Sequence, residues 1–258
     1  MNIKIYSLKD IKQLILVGKL AAKILVMIYE YIKHGLNTEE LNSICHKYIE
    51  TKLKCSAATI GYKGYQHATC ISINNVVCHG IPFYYKQIKT NDILNIDVTI
   101  KKNGYYADTS YMYIVGSIKY KKFYKICHFT QTCLYKAMAF ICAGTKLSTI
   151  GDIIQKNAKK NGYSVVKEFC GHGIGSDFHL TPQVLNYNGY KKKNVLLQQG
   201  MCITVEPILI PRGTEIKILK DGWTTSTKNK NFSAQCEHTL IIKKQGVIIT
   251  TTRINEKL

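Results

Sequence analysis

Apolar residues recur at helical spacing from about Leu8 to His34, and Gly35 follows as a stop signal. Asn37-Thr38-Glu39-Glu40 then has the form of a capping box and opens a second helix running to about Lys52. The period next shortens, with strand-like pieces at Cys70–Ile73, Ile93–Ile100 and Tyr105–Val115. The same order then returns. Helices are expected at about Tyr120–Cys142 and Ser148–Lys160, then strands at Ser164–Lys167, Cys202–Leu209, Glu215–Leu219 and Ala234–Lys243. Two helices followed by several strands, twice over, predict an α+β fold. We expect a single domain, 1–258, built from similar halves at about 1–118 and 119–258, although no residue-level repeat is visible.

Between two strand-like runs, Asn103-Gly104 is the strongest short hairpin signal available. If these two residues form the turn, Asp108 faces Thr99 and Asp97 faces Ser110. Asp97 and Asp108 then lie on one face of the ribbon as diagonal neighbours, about 7–8 Å apart at the backbone. Ile93, Leu94, Ile96, Val98 and Ile100 give Asp97 the context of a buried strand. An unpaired carboxylate there costs several kcal/mol.

Two glutamates repeat the anomaly. Glu206 lies in the apolar run Ile203-Thr-Val-Glu-Pro-Ile-Leu209, and Glu237 precedes His238-Thr-Leu-Ile-Ile242. Charged side chains in such runs need partners. His172 stands in a Gly-rich loop, Gly171-His172-Gly173-Ile174-Gly175, where small neighbours allow close backbone approach. Four carboxylates and one imidazole are what two divalent cations need if carboxylates bridge them. Such a donor set suits Mn, Fe, Co or Zn. A metal pair sharing ligands holds a water and delivers it as hydroxide, which points to a metal-dependent hydrolase. His79, in His79-Gly-Ile-Pro82, and His179, seven residues beyond His172, are candidates for binding substrate or stabilising charge. His67, His128 and His238 receive no role.

Composition changes this picture little. A net charge of +20 invites a nucleic-acid reading, but only two of the basic residues, Arg212 and Arg253, are arginines. The lysines are scattered among Ile, Asn and Tyr, as A/T-rich codons produce, so sequence-specific nucleic-acid binding is not expected and a ribosome or RNA surface is a minority docking partner. The ten cysteines form no CxxC pair and suit reduced core filler in a cytoplasmic protein. Lys12, Lys19, Lys23 and Glu30 interrupt the first apolar stretch, so neither a cleaved signal nor a membrane span is expected.

The strings CHGIP, NIDVT, ADTS, GHGIG, TVEP and CEHT, in this order and spacing, resemble the type I methionine aminopeptidases over essentially the whole chain. The resemblance implies the pita-bread fold, two pseudo-symmetric α+β halves around a dinuclear metal site. It implies that Asp97 chelates one metal, that Asp108 and Glu237 bridge both, and that His172 and Glu206 bind the second. Glu206 would also shuttle protons, His179 would polarise the scissile carbonyl, and His79 would hold the peptide beyond it. The methionine pocket would comprise Tyr62, Tyr65, Cys70, Phe178 and Trp223, an aromatic cup with a thiol suited to a thioether. Thr59 stands where bacterial relatives often carry cysteine, and Leu180-Thr181 where relatives tend to be acidic; small effects on pocket shape and substrate access are expected. Only thirty-one positions separate Glu206 from Glu237, leaving no room for the helical insertion of type II enzymes. With no zinc-finger-like or polybasic extension before the first helix, the chain reads as the short bacterial-like form. The implied activity is removal of N-terminal methionine from nascent polypeptides, with a small second residue, by a cytoplasmic monomer. An Xaa-Pro-type exopeptidase of the same fold is the alternative, although those enzymes usually carry a further N-terminal domain.

Overall fold

The computed structural model describes residues 3–117, 121–189, 195–254 and 256. In the first half, α1 (Leu8–Ile28) and α2 (Thr38–Lys47) precede β1 (Ser56–Ala57), β2 (Cys70–Ile73), β3 (Val76–Cys78), β4 (Ile93–Lys102) and β5 (Tyr105–Ile114). In the second half, α3 (Lys121–Ala139) and α4 (Ser148–Lys160) precede β6 (Tyr163–Val165), β7 (Gly171–Gly173), β8 (Leu180–Val184), β9 (Cys202–Val205) and β10 (Ile208–Pro211). The chain continues through β11 (Ile216–Ile218), β12 (Thr225–Thr227), β13 (Ala234–Gln235), β14 (His238–Ile242) and β15 (Val247–Ile249).

Each half buries its own core. Val17, Ile24, Leu25 and Ile28 of α1 pack with Leu41 and Cys45 of α2 against Leu94, Ile96 and Ile100 of β4. Ile126, Leu134 and Met138 of α3 pack with Ile150 and Ile154 of α4 against Ile203 and Leu240. β5 also packs against β13 and β14, which joins the halves along their strands and leaves the helices outside.

Local chemistry explains where the elements start and stop. Asn37 accepts from the Glu40 N–H at 2.9 Å, and Glu40 accepts from the Asn37 N–H at 2.8 Å, which completes the expected capping box. Ser7 and Asp10 form a second one at the start of α1. The first helix ends at Ile28 with a 3-10 turn over Tyr29–Tyr31, short of His34, because Ile32 is extended. The second ends at Lys47, and a π turn over Tyr48–Lys52 continues to the expected boundary. Tyr120 lies outside the described residues; the third helix ends at Ala139 rather than Cys142, and Ser148–Lys160 is helical as expected.

The hairpin forms as the Asn-Gly pair requires. Asn103 and Gly104 both have positive φ, 52° and 82°, and the register pairs Asp97 with Ser110 and Thr99 with Asp108. Three expected elements differ in form. The Gly171–Gly173 segment is strand β7, not loop, hydrogen-bonded between β8 and β9. Its glycines permit close packing rather than freedom: a Cβ would lie 2.4 Å from Thr204 O at Gly171 and 2.3 Å from Thr181 O at Gly173. The run Cys202–Leu209 is two strands broken at Glu206-Pro207, where proline removes an amide donor. The run Ala234–Lys243 breaks likewise at Cys236-Glu237. At these breaks the chain changes sheets. β9 and β14 belong to a five-stranded sheet, β10 and β13 to a three-stranded one. All ten cysteines are free, and eight are buried.

α1 approaches the end of β15 so closely that a Cβ on Gly18 would meet Thr250 Cβ at 2.4 Å and Thr250 O at 2.6 Å. Gly18→Ala is therefore expected to lose about 1–3 kcal/mol despite alanine's better helix propensity. Urea denaturation checks this; an unchanged or higher midpoint contradicts the close approach.

Candidate metal centre

The hairpin and the two strand breaks aim their carboxylates at one point. Asp97 and Asp108 project from the same face of β4–β5, while Glu206 and Glu237 occupy the junctions where strands leave one sheet for another. His172 enters from β7. Ligand atoms of Asp108, His172 and Glu237 all lie within 4.8 Å of one another. His172 Nε2 is 3.8 Å from Asp108 Oδ2 and 3.8 Å from Glu206 Oε1. The Asp108 carboxylate is close enough to Asp97 to raise its pKa further, after burial.

Hydroxyls brace this set. Thr99 Oγ1 donates to Asp108 Oδ1 at 2.9 Å, and Thr204 Oγ1 donates to Glu206 Oε1 at 2.9 Å. Thr204 Oγ1 also accepts from the His172 N–H at 3.0 Å. Thr239 Oγ1 donates to the Asp108 carbonyl at 2.7 Å and accepts its N–H at 3.1 Å. His172 Nδ1 faces the Gly173 carbonyl at 2.9 Å. That contact suits an Nδ1–H donor and leaves Nε2 a free lone pair toward the carboxylates.

Burial favours the neutral form of every member. Asp97 and Glu237 titrate well above the usual carboxylate range, through burial first and the neighbouring carboxylates second. Burial also raises Asp108 and Glu206, against the Thr99 and Thr204 hydrogen bonds. His172 is pushed down to about 3 by burial and by His179. Four acids and an unprotonated imidazole converging in a buried site fit a divalent cation, which replaces their protons with charge.

The ligand cluster forms one wall of a cavity of about 320 Å³, and all twelve residues singled out from the sequence line it. Tyr62, Tyr65, Phe178 and Trp223 form the facing cup, with the Tyr62 and Phe178 rings 4.7 Å apart and the Tyr65 and Trp223 rings 5.0 Å apart. Cys70 sits opposite Asp97 in the β2–β4 register. His179 lies between the walls, its ring 4.2 Å from both His172 and Phe178. Burial, then Lys63 and His79, push His179 down to about 4, so it is a neutral N–H donor at pH 7. His79 has the left-handed φ of 53°, unusual for a non-glycine residue, and its ring stands edge-on to Phe169 at 5.1 Å. Burial lowers its pKa as well.

Thr59, noted above for its departure from relatives, also lines this cavity; Lys63, Thr99, Phe169 and Cys170 line it too and were not singled out. Thr99 had a signal, since the hairpin register sets it opposite Asp108. Phe169-Cys170 immediately precede Gly171-His172. Lys63 carried no signal beyond lying next to Tyr62.

A profile of metallopeptidase family M24 matches residues 12–244. The chain belongs to metallopeptidase family M24. It is 45% identical to a methionine aminopeptidase of Escherichia coli (strain K12) over 258 residues, 100% of this chain and 97% of that protein. It is 45% identical over 255 residues to the methionine aminopeptidase of Buchnera aphidicola subsp. Baizongia pistaciae, 98% of this chain and 95% of the relative. The crystal structure of methionine aminopeptidase from Rickettsia prowazekii superposes with a TM-score of 0.93 at 42% identity, covering 97% of this chain and all of that one (100%). A prolidase from Pyrococcus furiosus shares the fold, with a TM-score of 0.76 at 21% identity; the match covers 98% of this chain but 66% of the prolidase. The fold is the pita-bread fold, and the chain is a metallopeptidase of the methionine aminopeptidase branch.

The raised carboxylates fix how the metal-free protein responds to pH. Their unfolded pKa lies near 4 and their folded pKa lies higher, so the native state retains protons that the unfolded state releases. The carboxylates' contribution to metal-free stability therefore falls as pH rises from about 4 through their folded pKa values, while the depressed histidines oppose it below about 6.5. A divalent cation reverses the trend, with a larger gain in melting temperature at pH 8 than at pH 5. Thermal scans after chelation, with and without Mn²⁺, measure this; an equal metal-induced shift at both pH values contradicts it.

Proposed function

We propose that the chain removes methionine from the free N-termini of nascent polypeptides, with two divalent ions held by Asp97, Asp108, His172, Glu206 and Glu237. One observation carries this reading. Four carboxylates, Asp108 and Glu237 buried and Asp97 and Glu206 half-buried, line one cavity with an imidazole, a cup of aromatic rings and a thiol. The donor set suits Fe, Mn, Co or Zn. Bound there, the metal pair would supply an activated water and a Lewis acid for the peptide carbonyl.

The protein's own groups do the rest. Tyr62, Tyr65, Cys70, Phe178 and Trp223 hold the methionine side chain by apolar contact and sulfur–ring attraction. The neutral His179 donates its N–H to the scissile carbonyl and stabilises the charge that develops on oxygen. His79 holds the peptide beyond the scissile bond. Glu206 takes a proton from the attacking water and returns it to the leaving amine; a carboxylate with a raised pKa suits both transfers. Asp97 would serve one ion, Glu206 and His172 the other, and Asp108 and Glu237 would serve both.

The chain is proposed to act as one catalytic domain, 1–258, a monomer in the cytoplasm, with a preference for small second residues. Among the described residues no helix is long and apolar enough to cross a membrane. The net charge of +20 keeps a ribosome surface as a docking hypothesis. An Xaa-Pro activity is not favoured, because the match spans nearly all of the methionine aminopeptidases but about two-thirds of the prolidase (97% against 66%).

Hydrolysis assays on chelated enzyme, reconstituted separately with each metal, test the proposal. Met-Ala-Ser should be cleaved and Ala-Pro-Ala should not; the reverse order selects the Xaa-Pro reading. Met-Ala peptides should outpace Met-Leu peptides, and equal rates would count against a narrow second subsite. Glu206→Gln should lower kcat by about 10²–10⁴-fold and His179→Ala by about 10²–10³-fold, with folding intact by circular dichroism. Full activity in either variant removes the role assigned to it.

A further inference from the structure

Glu237 presents a structural problem. It lies in the gap between β13 and β14, where no regular ladder holds the backbone. Its N–H reaches Ser110 O at 3.2 Å, and its carbonyl accepts from Thr109 Oγ1 at 2.9 Å. The position of this residue therefore rests on β5, and on one hydroxyl in particular.

That hydroxyl is itself held. Thr109 Oγ1 accepts from Arg253 Nη1 at 3.2 Å. Because the hydrogen of this hydroxyl is directed at Glu237, the guanidinium fixes which way it points. Thr109 and Tyr111 alternate with Asp108 and Ser110 along β5, so they lie on the face turned away from the metal centre. Arg253 lies over the Tyr111 ring at 4.6 Å. Among the described residues it is the one buried lysine or arginine, 7% exposed. A buried guanidinium needs an anion, and Glu256 supplies it at 2.5 Å. Glu256 also accepts from Tyr135 and from the Arg253 backbone N–H at 3.1 Å, and His238 Nε2 lies 3.1 Å from both Glu256 Oε1 and Arg253 Nη2. These donors hold the Glu256 carboxylate well below its usual range, at about 2, so it stays charged at neutral pH.

We propose that Arg253 is a positioning residue for the metal centre: clamped by Glu256, it orients the Thr109 hydroxyl that holds the Glu237 backbone, and so makes the closing segment of the chain part of the metal site's support. The inference deepens the proposed function and rests on Glu237 being a ligand. It separates two roles that charge alone would confuse. As a buried cation, Arg253 opposes metal binding; as a clamp, it favours binding. A variant that breaks the relay and keeps the charge isolates the second.

Thr109→Val is that variant. Mn²⁺ titration calorimetry on the chelated full-length protein, well below its melting temperature, should give about 10–100-fold weaker binding, the usual range for losing a group that orients a ligand. Thr109→Ser, which restores the hydroxyl, should recover most of it. Arg253→Lys keeps charge but loses the fork, and should weaken Mn²⁺ binding similarly; it reads the same relay if Thr109→Val does not fold. Two controls keep the outcomes distinct. Ile154→Val in the α4 core should lower melting temperature without changing Mn²⁺ affinity; a loss equal to that of Thr109→Val would reduce the clamp to general stability and overturn the proposal. Glu237→Gln should lose Mn²⁺ affinity itself. If Glu237→Gln loses it while Thr109→Val and Arg253→Lys bind as the wild type does, the clamp is wrong and the ligand reading stands. If Glu237→Gln binds Mn²⁺ unchanged, the ligand reading fails and the clamp falls with it.

Discussion

Four carboxylates gathered in one buried site repel one another, and the rest of the structure answers to that repulsion. A pair of unit charges about 4 Å apart costs about 4 kcal/mol at an effective dielectric near 20. Several such pairs exceed what a domain with about 5–15 kcal/mol of net stability tolerates. The carboxylates therefore keep protons or share cations. The same condition explains the hydroxyls of Thr99 and Thr204, which donate to Asp108 and Glu206. The His172 tautomer has a separate cause: the Gly173 carbonyl 2.9 Å from Nδ1 suits an Nδ1–H and leaves Nε2 toward the acids.

Bringing those groups together required backbone that regular strands do not offer. The β4–β5 hairpin is the rigid part, with ten residues in each strand and a tight turn. Consecutive strand residues point to opposite faces, so a continuous strand at Glu206 or Glu237 would alternate between core and solvent. Breaking the strands at those residues, and passing each half-strand to a different sheet, frees both side chains to turn inward. The breaks cost ladder hydrogen bonds. Around Glu237 the loss is offset by contacts from β5 and, behind it, by the buried Arg253–Glu256 pair. The aromatic cup of Tyr62, Tyr65, Phe178 and Trp223 lines the same cavity and touches the acidic wall through His179, whose ring lies 4.2 Å from both His172 and Phe178.

Much of this was legible along the chain because its causes are local. A capping box announces itself by spacing, as at Asn37 and Glu40, and an Asn-Gly pair forces the turn that sets Asp97 and Asp108 on one face. Acidic residues inside apolar runs singled out the carboxylates that converge on one cavity, without any knowledge of where the runs meet. Other features had no local cause. Gly171-His172-Gly173 has loop composition yet is a strand, because its glycines admit Thr204 and Thr181 from neighbouring strands. Arg253 is an ordinary basic residue in sequence. Its burial depends on Glu256, Tyr111 and Thr109 being brought around it.

The sequence by itself determined the donor set, the hairpin register and the order of helices and strands, since each depends on residue type at short range. Only the tertiary structure decided the distances between the ligands, the side chains that support them and the points where strands change sheets. Those depend on contacts between segments more than a hundred residues apart, such as Thr109 with Glu237 and Arg253, and no spacing along a chain encodes where two distant segments touch.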